Sequence, residues 1–381
     1  MTGGGSAIVG RAPVLGIIGG GQLARMMLSA CIELGIEPRV LAESADSAAA
    51  LAATAFGAAD DPDAVLAFAK TVDVVTFDHE HVPQPVLAAL VAAGVAVHPG
   101  PHALRFAQDK LAMRERLTEL GVPVPDWAAV RDERMLAGFL EDHGGVAVLK
   151  TPVGGYDGKG VRVIRKPREA ADWFETSPVL LAEERVSFRR ELAQLVARRP
   201  SGEMASWPLV QTEQRDGMCV EVIAPAPDRG SRLDEAARHI AEQIAEGLEV
   251  TGVLAVELFE TDDQLLVNEL AMRPHNSGHW SMDAAVTGQF EQHVRAVLDL
   301  PLGDPSARQD WAVMVNLLGG PEGEVVPGRY PSALGEHPAA KVHAYGKASR
   351  PGRKVGHVTA YGQVLDEVVY TARAAAARLS E

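Results

Sequence analysis

Strand and helix patterns alternate over the first hundred residues, and this alternation restricts the fold more than any other feature of the sequence. Apolar runs typical of buried strands occupy 14–18, 36–42, 72–77 and 95–98, and helical patterns separate them. Such alternation is typical of a parallel sheet with helices on both faces. We therefore predict an α/β fold whose N-terminal, Rossmann-like parallel-sheet domain covers residues 13–106.

A glycine turn follows the first strand and opens the predicted helix 22–34. Gly19, Gly21 and Ala24 match the dinucleotide fingerprint G-x-G-x-x-A, and Glu43 ends the second strand, where a ribose-binding acid belongs. The turn itself indicates only that an anion can approach a helix N-terminus. On the residues alone, an NAD-dependent oxidoreductase is therefore an open alternative.

A predicted β-hairpin near residue 260 carries acidic side chains on both strands. The strands, 254–260 and 264–270, flank a polar turn, and antiparallel pairing would bring Glu257 close to Asn268 and Glu269. Two carboxylates and an amide oxygen are hard ligands of the kind that Mg²⁺ takes when substrate phosphates also hold it. The alternative is a solvated hairpin without a ligand.

The hairpin runs directly into a polar loop, and NELAMRPHNSGHWS spans residues 268–281. Pro274 and Gly278 predict an irregular backbone for it. The loop gathers candidate binding side chains, namely Arg273, His275, Asn276, Ser277 and His279.

A glycine-rich loop, TPVGGYDGKG at 151–160, joins the short predicted strands 146–150 and 161–164. Backbone N–H groups at glycines can wrap phosphate oxygens, and Lys150 and Lys159 supply positive charge. A Walker loop is excluded, because no helix follows and the G-K-[ST] ending is absent. We predict a phosphate-binding hairpin lid, with a surface hairpin without ligand as the alternative.

Two further segments carry charge suited to a nucleotide. The predicted strand 179–186 contains Glu183 and Glu184, and an acid beside exposed backbone at a sheet edge is a natural adenine and ribose hinge. Near the C-terminus the chain becomes basic, with Lys347, Arg350, Arg353 and Lys354 in eight residues. This basic tail predicts a phosphate-binding loop; a solvated turn is the alternative.

Composition excludes several classes of function. The net charge of -15 argues against general nucleic-acid binding, so an anionic ligand needs a local cluster of cations. No apolar run reaches the length of a membrane span, and residues 1–12 lack the pattern of a secretory signal, which predicts a loose leader. The only cysteines, Cys31 and Cys219, have neither metal nor disulfide spacing, which favours the cytoplasm.

Prolines after a predicted helix at 107–120 indicate a domain boundary. We predict a small central lid domain over 107–186 and a C-terminal α+β domain over 187–381. Further predicted helices and strands in these domains are 190–198, 207–213, 233–248, 283–300, 311–318 and 341–345.

The order of these elements resembles the ATP-grasp superfamily. The motifs IIGGGQLARM, TFDHEHV, AQDKL, GGYDGKG, NELAMRPHNSGHW and YGKASRPGRKVGH resemble, more narrowly, the family of N5-carboxyaminoimidazole ribonucleotide synthases, the ATPase subunits of phosphoribosylaminoimidazole carboxylase. The resemblance runs from about residue 14 to 362 and implies an ATP-grasp fold with a pre-ATP-grasp domain at its N-terminus. It also implies that the first glycine turn serves a nucleotide substrate instead of NAD. The chain departs from the family pattern at 211–214, where members usually show an Asn and a His, and at Met272, where they usually carry Pro.

The resemblance implies a full set of site residues. The ATP site would comprise Lys110, Lys150, Gly155, Tyr156, Asp157, Gly158, Lys159, Gly160, Val161, Glu183, Glu184, Arg185, Val186, Glu191, Asn268 and Glu269. The ribonucleotide site would comprise Gly20, Gly21, Gln22, Leu23, Glu80, Tyr156, Lys159, Arg273, His275, Asn276, Ser277, Lys347, Arg350 and Lys354. Glu257 and Glu269 would hold Mg²⁺, and the catalytic residues would be Asp157, Arg273, His275 and Lys354.

The implied reaction is ATP-dependent carboxylation of 5-aminoimidazole ribonucleotide by bicarbonate, through carboxyphosphate, in purine biosynthesis. Asp157 is the candidate proton acceptor, with His275 as the second choice. The resemblance also suggests a homodimer. A non-catalytic nucleotide-binding protein that kept the fold is the other alternative, and the presence of both metal carboxylates argues against it.

Overall fold

Residues 14–97 contain a five-stranded parallel sheet with strand order β3-β2-β1-β4-β5. In a computed structural model, the chain is described over residues 11–154, 160–320 and 326–380. The elements of this part are β1 Val14–Ile18, α1 Gln22–Glu33, β2 Glu37–Ala42, β3 Ala53–Phe56, α2 Pro62–Ala69, β4 Val74–Phe77, α3 Gln84–Ala92 and β5 Ala96–Val97. The predicted parallel sheet is confirmed. Only β3, a short edge strand of alternating exposure, was not predicted, because its ATAF sequence lacks a buried apolar run.

Two helices lie where the sequence predicted one at 107–120: the second confirms that helix with its start at 110 instead of 107, and the first was not predicted. They are α4 Pro101–Gln108 and α5 Lys110–Glu119. Asp109 between them has an extended backbone (φ -125°, ψ 109°), and its side chain accepts hydrogen bonds from Leu111 N and Ala112 N. Aspartate caps a helix N-terminus better than it continues one, so the break lies at this residue.

A small antiparallel sheet follows, with strand order β6-β9-β7-β8. Its elements are β6 Trp127–Val130, α6 Glu133–Asp142, β7 Ala147–Lys150, β8 Val161–Ile164, α7 Ala171–Thr176 and β9 Leu180–Glu184. The predicted pairing of β7 with β8 is confirmed. The expected sheet-edge position of the acidic strand is wrong, because β9 lies between β6 and β7.

A nine-stranded antiparallel sheet occupies the rest of the chain, in the order β15-β14-β10-β12-β13-β16-β18-β17, with β11 paired to β10. Its elements are β10 Arg190–Arg198, β11 Met204–Ser206, β12 Val210–Arg215, β13 Met218–Ala224, α8 Gly230–Gly247, β14 Gly252–Glu260, β15 Leu265–Ala271, α9 Ser281–Ala284, α10 Gln289–Val297, β16 Trp311–Leu318, α11 Tyr330–Glu336, β17 Lys341–Ala344, β18 Lys354–Gly362 and α12 Leu365–Ser380. The helix predicted at 283–300 is wrong as one element: Ala285 is extended and Gly288 precedes α10.

One apolar core joins the N-terminal sheet to the nine-stranded sheet. Leu87 and Leu104 from the first part pack in the same buried cluster as Ile244 of α8 and Leu254 of β14. Their burial holds the two halves of the site described below in fixed positions. No helix in the described ranges combines the length and hydropathy that a membrane crossing requires. The domain boundaries at 106/107 and 186/187 stay predictions.

Candidate active site

The centre of the site is the hairpin of β14 and β15. Glu257 and Glu269 are direct partners in its antiparallel register, as the sequence predicted. The register shifts immediately afterwards, since Leu258 pairs with Val267, and Asn268 is therefore the extra residue of a β-bulge. A bulge turns one side chain out of the regular alternation, which lets Asn268 accompany the two carboxylates.

The electrostatics of the carboxylate pair favour a cation. Desolvation in the cleft raises the pKa of Glu257 to about 8, and the charges of Glu269 and Glu191 act in the same direction. Over the described ranges, three His, Cys, Asp or Glu side chains never converge into a complete metal site. Two carboxylates with other positions left for phosphate oxygens and water suit Mg²⁺, so these residues fit that ion.

Lys150, at the end of β7, lies beside the bulge. Its Nζ atom is 3.3 Å from Asn268 Oδ1 and 2.6 Å from Glu183 Oε2. The buried Arg114 of α5 lies on the other side of Glu183, with Nε 2.5 Å from Oε1, and donates through NH2 to the Asn268 carbonyl. Desolvation raises the pKa of Glu183, but Arg114 and Lys150 outweigh it and hold this pKa below its ordinary value.

Glu183 therefore orients Arg114 and Lys150, and both of these side chains contact Asn268 in the hairpin. The rest of the predicted hinge is at the end of β9. Glu184 accepts from Asp126 N, Arg185 is exposed and Val186 is half-buried. Glu191, half-buried in β10, has a pKa raised by desolvation.

Lys110, the first residue of α5, is the second cation near the hairpin. Its Nζ atom donates to the Gly154 carbonyl at 3.2 Å and lies 3.9 Å from Glu269 Oε1. At the far end of the glycine-rich loop, the Gly160 carbonyl accepts from Thr151 N, and Val161 begins β8. The loop residues between them, Gly155, Tyr156, Asp157, Gly158 and Lys159, lie outside the described residues.

The polar loop after β15 is anchored to the N-terminal sheet by Glu80. The Glu80 carboxylate accepts from Arg273 Nε at 2.9 Å and from Met272 N at 2.7 Å. A proline at position 272 would have no N–H to donate, so the departure from the family pattern adds one of these hydrogen bonds. Gln108 supports the same segment by donating to the carbonyls of Glu80 and Val82.

His275 presents a defined ring nitrogen to the carboxylates. Its Nδ1 atom accepts from Ser277 N and lies 2.8 Å from Ser277 Oγ, so the proton is on Nε2, which lies 3.6 Å from Glu257 Oε1. Desolvation, with the charges of Arg273 and Lys354, lowers the pKa of His275 well below its ordinary value. The ring is therefore neutral and a donor at Nε2, which argues against the expected second choice of His275 as proton acceptor.

Neighbouring residues of this loop are buried in a 3-10 turn, Asn276–Gly278. The side-chain amide of Asn276 has no hydrogen-bond partner among the residues whose positions are described. The charge of Lys354, the first residue of β18, opposes the rise in the pKa of Glu257 but does not outweigh the desolvation that causes it.

The glycine turn before α1 is occupied by carboxylates of the protein itself. Asp78, at the end of β4, accepts from Gly21 N and Ala24 N at 2.7 Å each, and a Cβ atom at Gly21 would overlap Asp78 Oδ2. Glu43 accepts from Gly20 N, and His79, whose Nε2 atom lies 3.7 Å from Glu43 Oε1, lowers the pKa of Glu43 to about 2. Glu43 is therefore engaged in contacts within the protein and is not available to bind a ribose. Asp78 accepts from the backbone N–H groups that would otherwise bind the pyrophosphate of a dinucleotide.

The basic tail nevertheless reaches this turn. Lys347 Nζ donates to Gln22 Oε1 at 2.7 Å, beside Leu23 in the first turn of α1. Arg350 is exposed in the same loop, which ends where Lys354 begins β18. The structure thus brings together the predicted Gln22 and Lys347.

Several residues of the site were not found from the sequence. Arg114, Gln108 and Asp78 act through partners 26 to 154 residues away, and the periodicity around them does not show it. Two signals were available: Asp78 lies inside the TFDHEHV motif, directly after a buried strand, and Gln108 lies inside the AQDKL motif.

Known proteins and family models match this chain along nearly its whole length. Three family models match: the ribonucleotide synthetase preATP-grasp domain over 13–108, the ATP-grasp domain over 115–290, and the phosphoribosylaminoimidazole carboxylase C-terminal domain over 312–370. The N5-carboxyaminoimidazole ribonucleotide synthase of Mycobacterium tuberculosis is 51% identical over 378 residues, covering 97% of this chain and 88% of the relative. The synthase of Corynebacterium ammoniagenes is 46% identical over 376 residues, covering 96% and 91%.

Solved structures show the same similarity. An ADP complex of an N5-carboxyaminoimidazole ribonucleotide synthetase matches with a TM-score of 0.88 at 33% identity, covering 96% of each chain. The Aspergillus clavatus synthase in complex with ADP and 5-aminoimidazole ribonucleotide matches with a TM-score of 0.86 at 30% identity, covering 97% of this chain and 98% of that one.

Proposed function

The chain belongs to the N5-carboxyaminoimidazole ribonucleotide synthase family, and on that premise we propose how its residues divide the work. The expected ATP-grasp fold, with its pre-ATP-grasp domain, is confirmed. The protein is an ATP-dependent carbon–nitrogen ligase that carboxylates 5-aminoimidazole ribonucleotide in purine biosynthesis. The oxidoreductase and non-catalytic alternatives are set aside.

The first step of the proposal is transfer of the γ-phosphoryl group of ATP to bicarbonate. The products are ADP and carboxyphosphate. Such a transfer depends mainly on positioning and charge neutralisation. Lys110 and Lys150 flank the Glu257–Glu269 hairpin and are suited to hold phosphate oxygens, while Arg114 and Glu183 fix the position of Lys150. Further ATP contacts from 155–161, Glu184, Arg185, Val186 and Glu191 stay proposals.

Glu257 and Glu269 would hold the divalent cation, with Asn268 beside the phosphates. Desolvation, together with the charge of Glu269, raises the pKa of Glu257, and a bound cation would stabilise both carboxylates in their charged form, which supports this assignment. When bound, Mg²⁺ neutralises charge on the transferring phosphoryl group. The protein's own contribution is to keep the two carboxylates opposite each other in the hairpin.

The second step forms the carbon–nitrogen bond. Carboxyphosphate splits into carbon dioxide and phosphate, the exocyclic amine attacks the carbon dioxide carbon, and the amine loses one proton. The site must exclude water, since carboxyphosphate hydrolyses readily. Arg273 supplies positive charge for the new carboxylate and His275 donates from Nε2, while Asp157 stays the proposed proton acceptor.

The ribonucleotide would lie between the glycine turn and the basic tail. The Lys347–Gln22 contact supports a 5′-phosphate site there, with Gly20, Gly21, Leu23 and Arg350 around it. Glu80, Asn276, Ser277 and Lys354 would surround the remainder of the substrate, together with Tyr156 and Lys159. We also propose a homodimer in the cytoplasm; the two buried free thiols, Cys31 and Cys219, support a reducing compartment.

One observation carries this division of roles. The carboxylate pair lies between residues of both half-sites, because Lys110 Nζ lies 3.9 Å from Glu269 Oε1 and His275 Nε2 lies 3.6 Å from Glu257 Oε1. The direct test is ADP release with ATP, Mg²⁺ and bicarbonate, with and without the ribonucleotide. We expect turnover to require both bicarbonate and the ribonucleotide. ATP hydrolysis at the same rate without them, or oxidation of NADH, would contradict the assignment. Sedimentation velocity tests the dimer.

A further inference from the structure

Gln289 opens α10 and is completely buried behind the polar loop that carries Arg273 and His275. Its Oε1 atom accepts from His275 N, and its Nε2 atom donates to the His275 carbonyl, each at 2.8 Å. One side chain therefore forms hydrogen bonds with the peptide groups on both sides of His275. The amide cannot be rotated by half a turn, because its NH₂ group would then face the N–H of His275.

The second N–H of the same amide is also used. Gln289 Nε2 lies 2.7 Å from His279 Nδ1, which must therefore be the unprotonated nitrogen of that ring. Both N–H groups of the Gln289 side chain therefore have an acceptor, and the side-chain oxygen accepts from His275 N. A single neutral amide thus sets the main chain at His275 and the tautomer of His279.

The surrounding chain is built to admit this side chain. A Cβ atom at Gly278 would overlap Gln289 Oε1, so glycine is needed where the loop passes the amide. Ser281 Oγ donates to the Gly278 carbonyl at 2.6 Å and accepts from Gln289 N at 2.9 Å. The loop and the start of α10 are therefore tied together at three points.

We propose that Gln289 is a positioning residue of the ribonucleotide site: it fixes the main chain at His275 and the tautomer of His279, so that His275 Nε2 faces Glu257. This inference rests on the proposed role of the Arg273–His275 loop in binding the ribonucleotide. Gln289 itself contacts no reacting atom. Its effect reaches the substrate through His275.

The chain supplies a matched control in Gln292, one turn further along α10. Gln292 is equally buried and also forms hydrogen bonds with both peptide groups of one residue. It accepts from Gly303 N at 2.7 Å and donates to the Gly303 carbonyl at 2.8 Å. Gly303 follows α10 and does not belong to the polar loop. Gln292→Glu therefore reproduces the structural disturbance of Gln289→Glu without touching His275.

The experiment compares steady-state kinetics of the whole protein and both variants. Gln289→Glu keeps the acceptor oxygen but loses the two N–H donors. We expect kcat/KM for the ribonucleotide to fall by about tenfold or more, with KM for ATP within about twofold of the unmodified protein. Gln292→Glu should leave both constants within about twofold. Equal ribonucleotide kinetics in the two variants would overturn the proposal.

His275→Ala distinguishes failure of this inference from failure of the proposed function. If His275→Ala leaves the ribonucleotide kinetics unchanged, the loop does not bind the ribonucleotide and the proposed site is wrong. If His275→Ala impairs them but Gln289→Glu acts like Gln292→Glu, only the role of Gln289 is wrong.

A measurement on the unmodified protein keeps the inference testable if Gln289→Glu does not fold. Nitrogen NMR of ¹⁵N-histidine-labelled protein, with His279→Gln to assign the signal, reports the His279 tautomer. We expect the proton on Nε2 and an unprotonated Nδ1. A protonated Nδ1 would remove the hydrogen bond from Gln289 and overturn the inference.

Discussion

Lys347 Nζ lies 2.7 Å from Gln22 Oε1, and this hydrogen bond joins two segments 325 positions apart in the chain. Gln22 opens α1, and Lys347 belongs to the basic tail before β18. The family resemblance places both segments in one ribonucleotide site, and their contact supports a single phosphate pocket.

Lys347→Ala tests that pocket. Loss of one charge-assisted phosphate contact costs about 1.5–3 kcal/mol, so KM for the ribonucleotide should rise by roughly tenfold to hundredfold while KM for ATP stays unchanged. Lys341→Ala, which removes an exposed lysine of β17, is the control and should change neither constant. An unchanged KM for the ribonucleotide in Lys347→Ala would place the phosphate elsewhere.

Glu269→Gln tests the proposed metal ligand. Because it removes one charge of the carboxylate pair, ribonucleotide-dependent ADP release should fall by about a hundredfold or more. The melting temperature without nucleotide should change little, since the Glu269 side chain is about half exposed. Asp263→Asn, in the exposed turn of the same hairpin, should keep full activity. Full activity of Glu269→Gln would reject the assignment.

Glu183→Ala should be one of the most destabilising single changes in the chain. It leaves the buried Arg114 and the largely buried Lys150 without their shared partner, which costs about 3–5 kcal/mol. Urea unfolding measures this loss. Glu119→Ala, which breaks the exposed pair with Arg116, should cost less than about 1 kcal/mol. Similar losses in the two variants would mean that the buried network contributes no special stability.

Acid should destabilise the protein partly through His293. This buried ring lies 2.8 Å from Thr76 Oγ1 and accepts from Val253 N, and desolvation lowers its pKa to about 3. Unfolding lets it take up a proton below its ordinary pKa of 6.5, so its contribution to stability is complete above pH 6.5 and decreases as pH falls towards 3. Between pH 6.5 and pH 5, His293→Asn should lose about 2 kcal/mol less unfolding free energy than the unmodified chain.

The matched control for His293→Asn is His239→Asn, an exposed histidine on α8. It should follow the unmodified chain across the same pH range. If His293→Asn also follows the unmodified chain, protonation of His293 does not contribute to acid unfolding.

Gly21→Ala tests whether glycine is required at position 21 because the Asp78 carboxylate packs against it. The new methyl group would overlap Asp78 Oδ2, and displacing that carboxylate leaves Gly21 N and Ala24 N without their acceptor. We expect a loss of about 2–4 kcal/mol in unfolding free energy. Gly138→Ala in α6, where nothing lies within 4 Å of the new atom, should be neutral or stabilise by about 0.5–1 kcal/mol.

The spacing of apolar residues was sufficient to predict elements that depend only on residues close together in the sequence. The strand β1, the helix α1 and the hairpin that pairs Glu257 with Glu269 follow from apolar spacing and turn residues that lie within a few positions of each other. The break at Asp109 could have been found too, because an aspartate directly before a helical pattern is a capping signal.

Side-chain contacts between residues that are far apart in the sequence could not be predicted in the same way. Nothing near Glu183 in the sequence indicates that Arg114 and Lys150 neutralise it, and Gln289 contacts His275 from 14 positions away. The strand β18 and the helix α12 were missed, although β18 pairs with a strand on each side, because a basic segment leads into it. These features depend on burial and distance in three dimensions.

The strand order also dictates when each part of the site appears during synthesis. The carboxylate pair needs only β14 and β15, which are consecutive and close as a hairpin within microseconds. Lys354 arrives on β18, which inserts between β16 and β17, so the nine-stranded sheet is incomplete until residue 362 is available. Non-local pairing of this kind is slow. The proposed metal ligands Glu257 and Glu269, like Lys110 and Lys150 beside their hairpin, are therefore synthesised before Lys354, and a chain cut before β18 lacks the charge of Lys354 that opposes the rise in the pKa of Glu257.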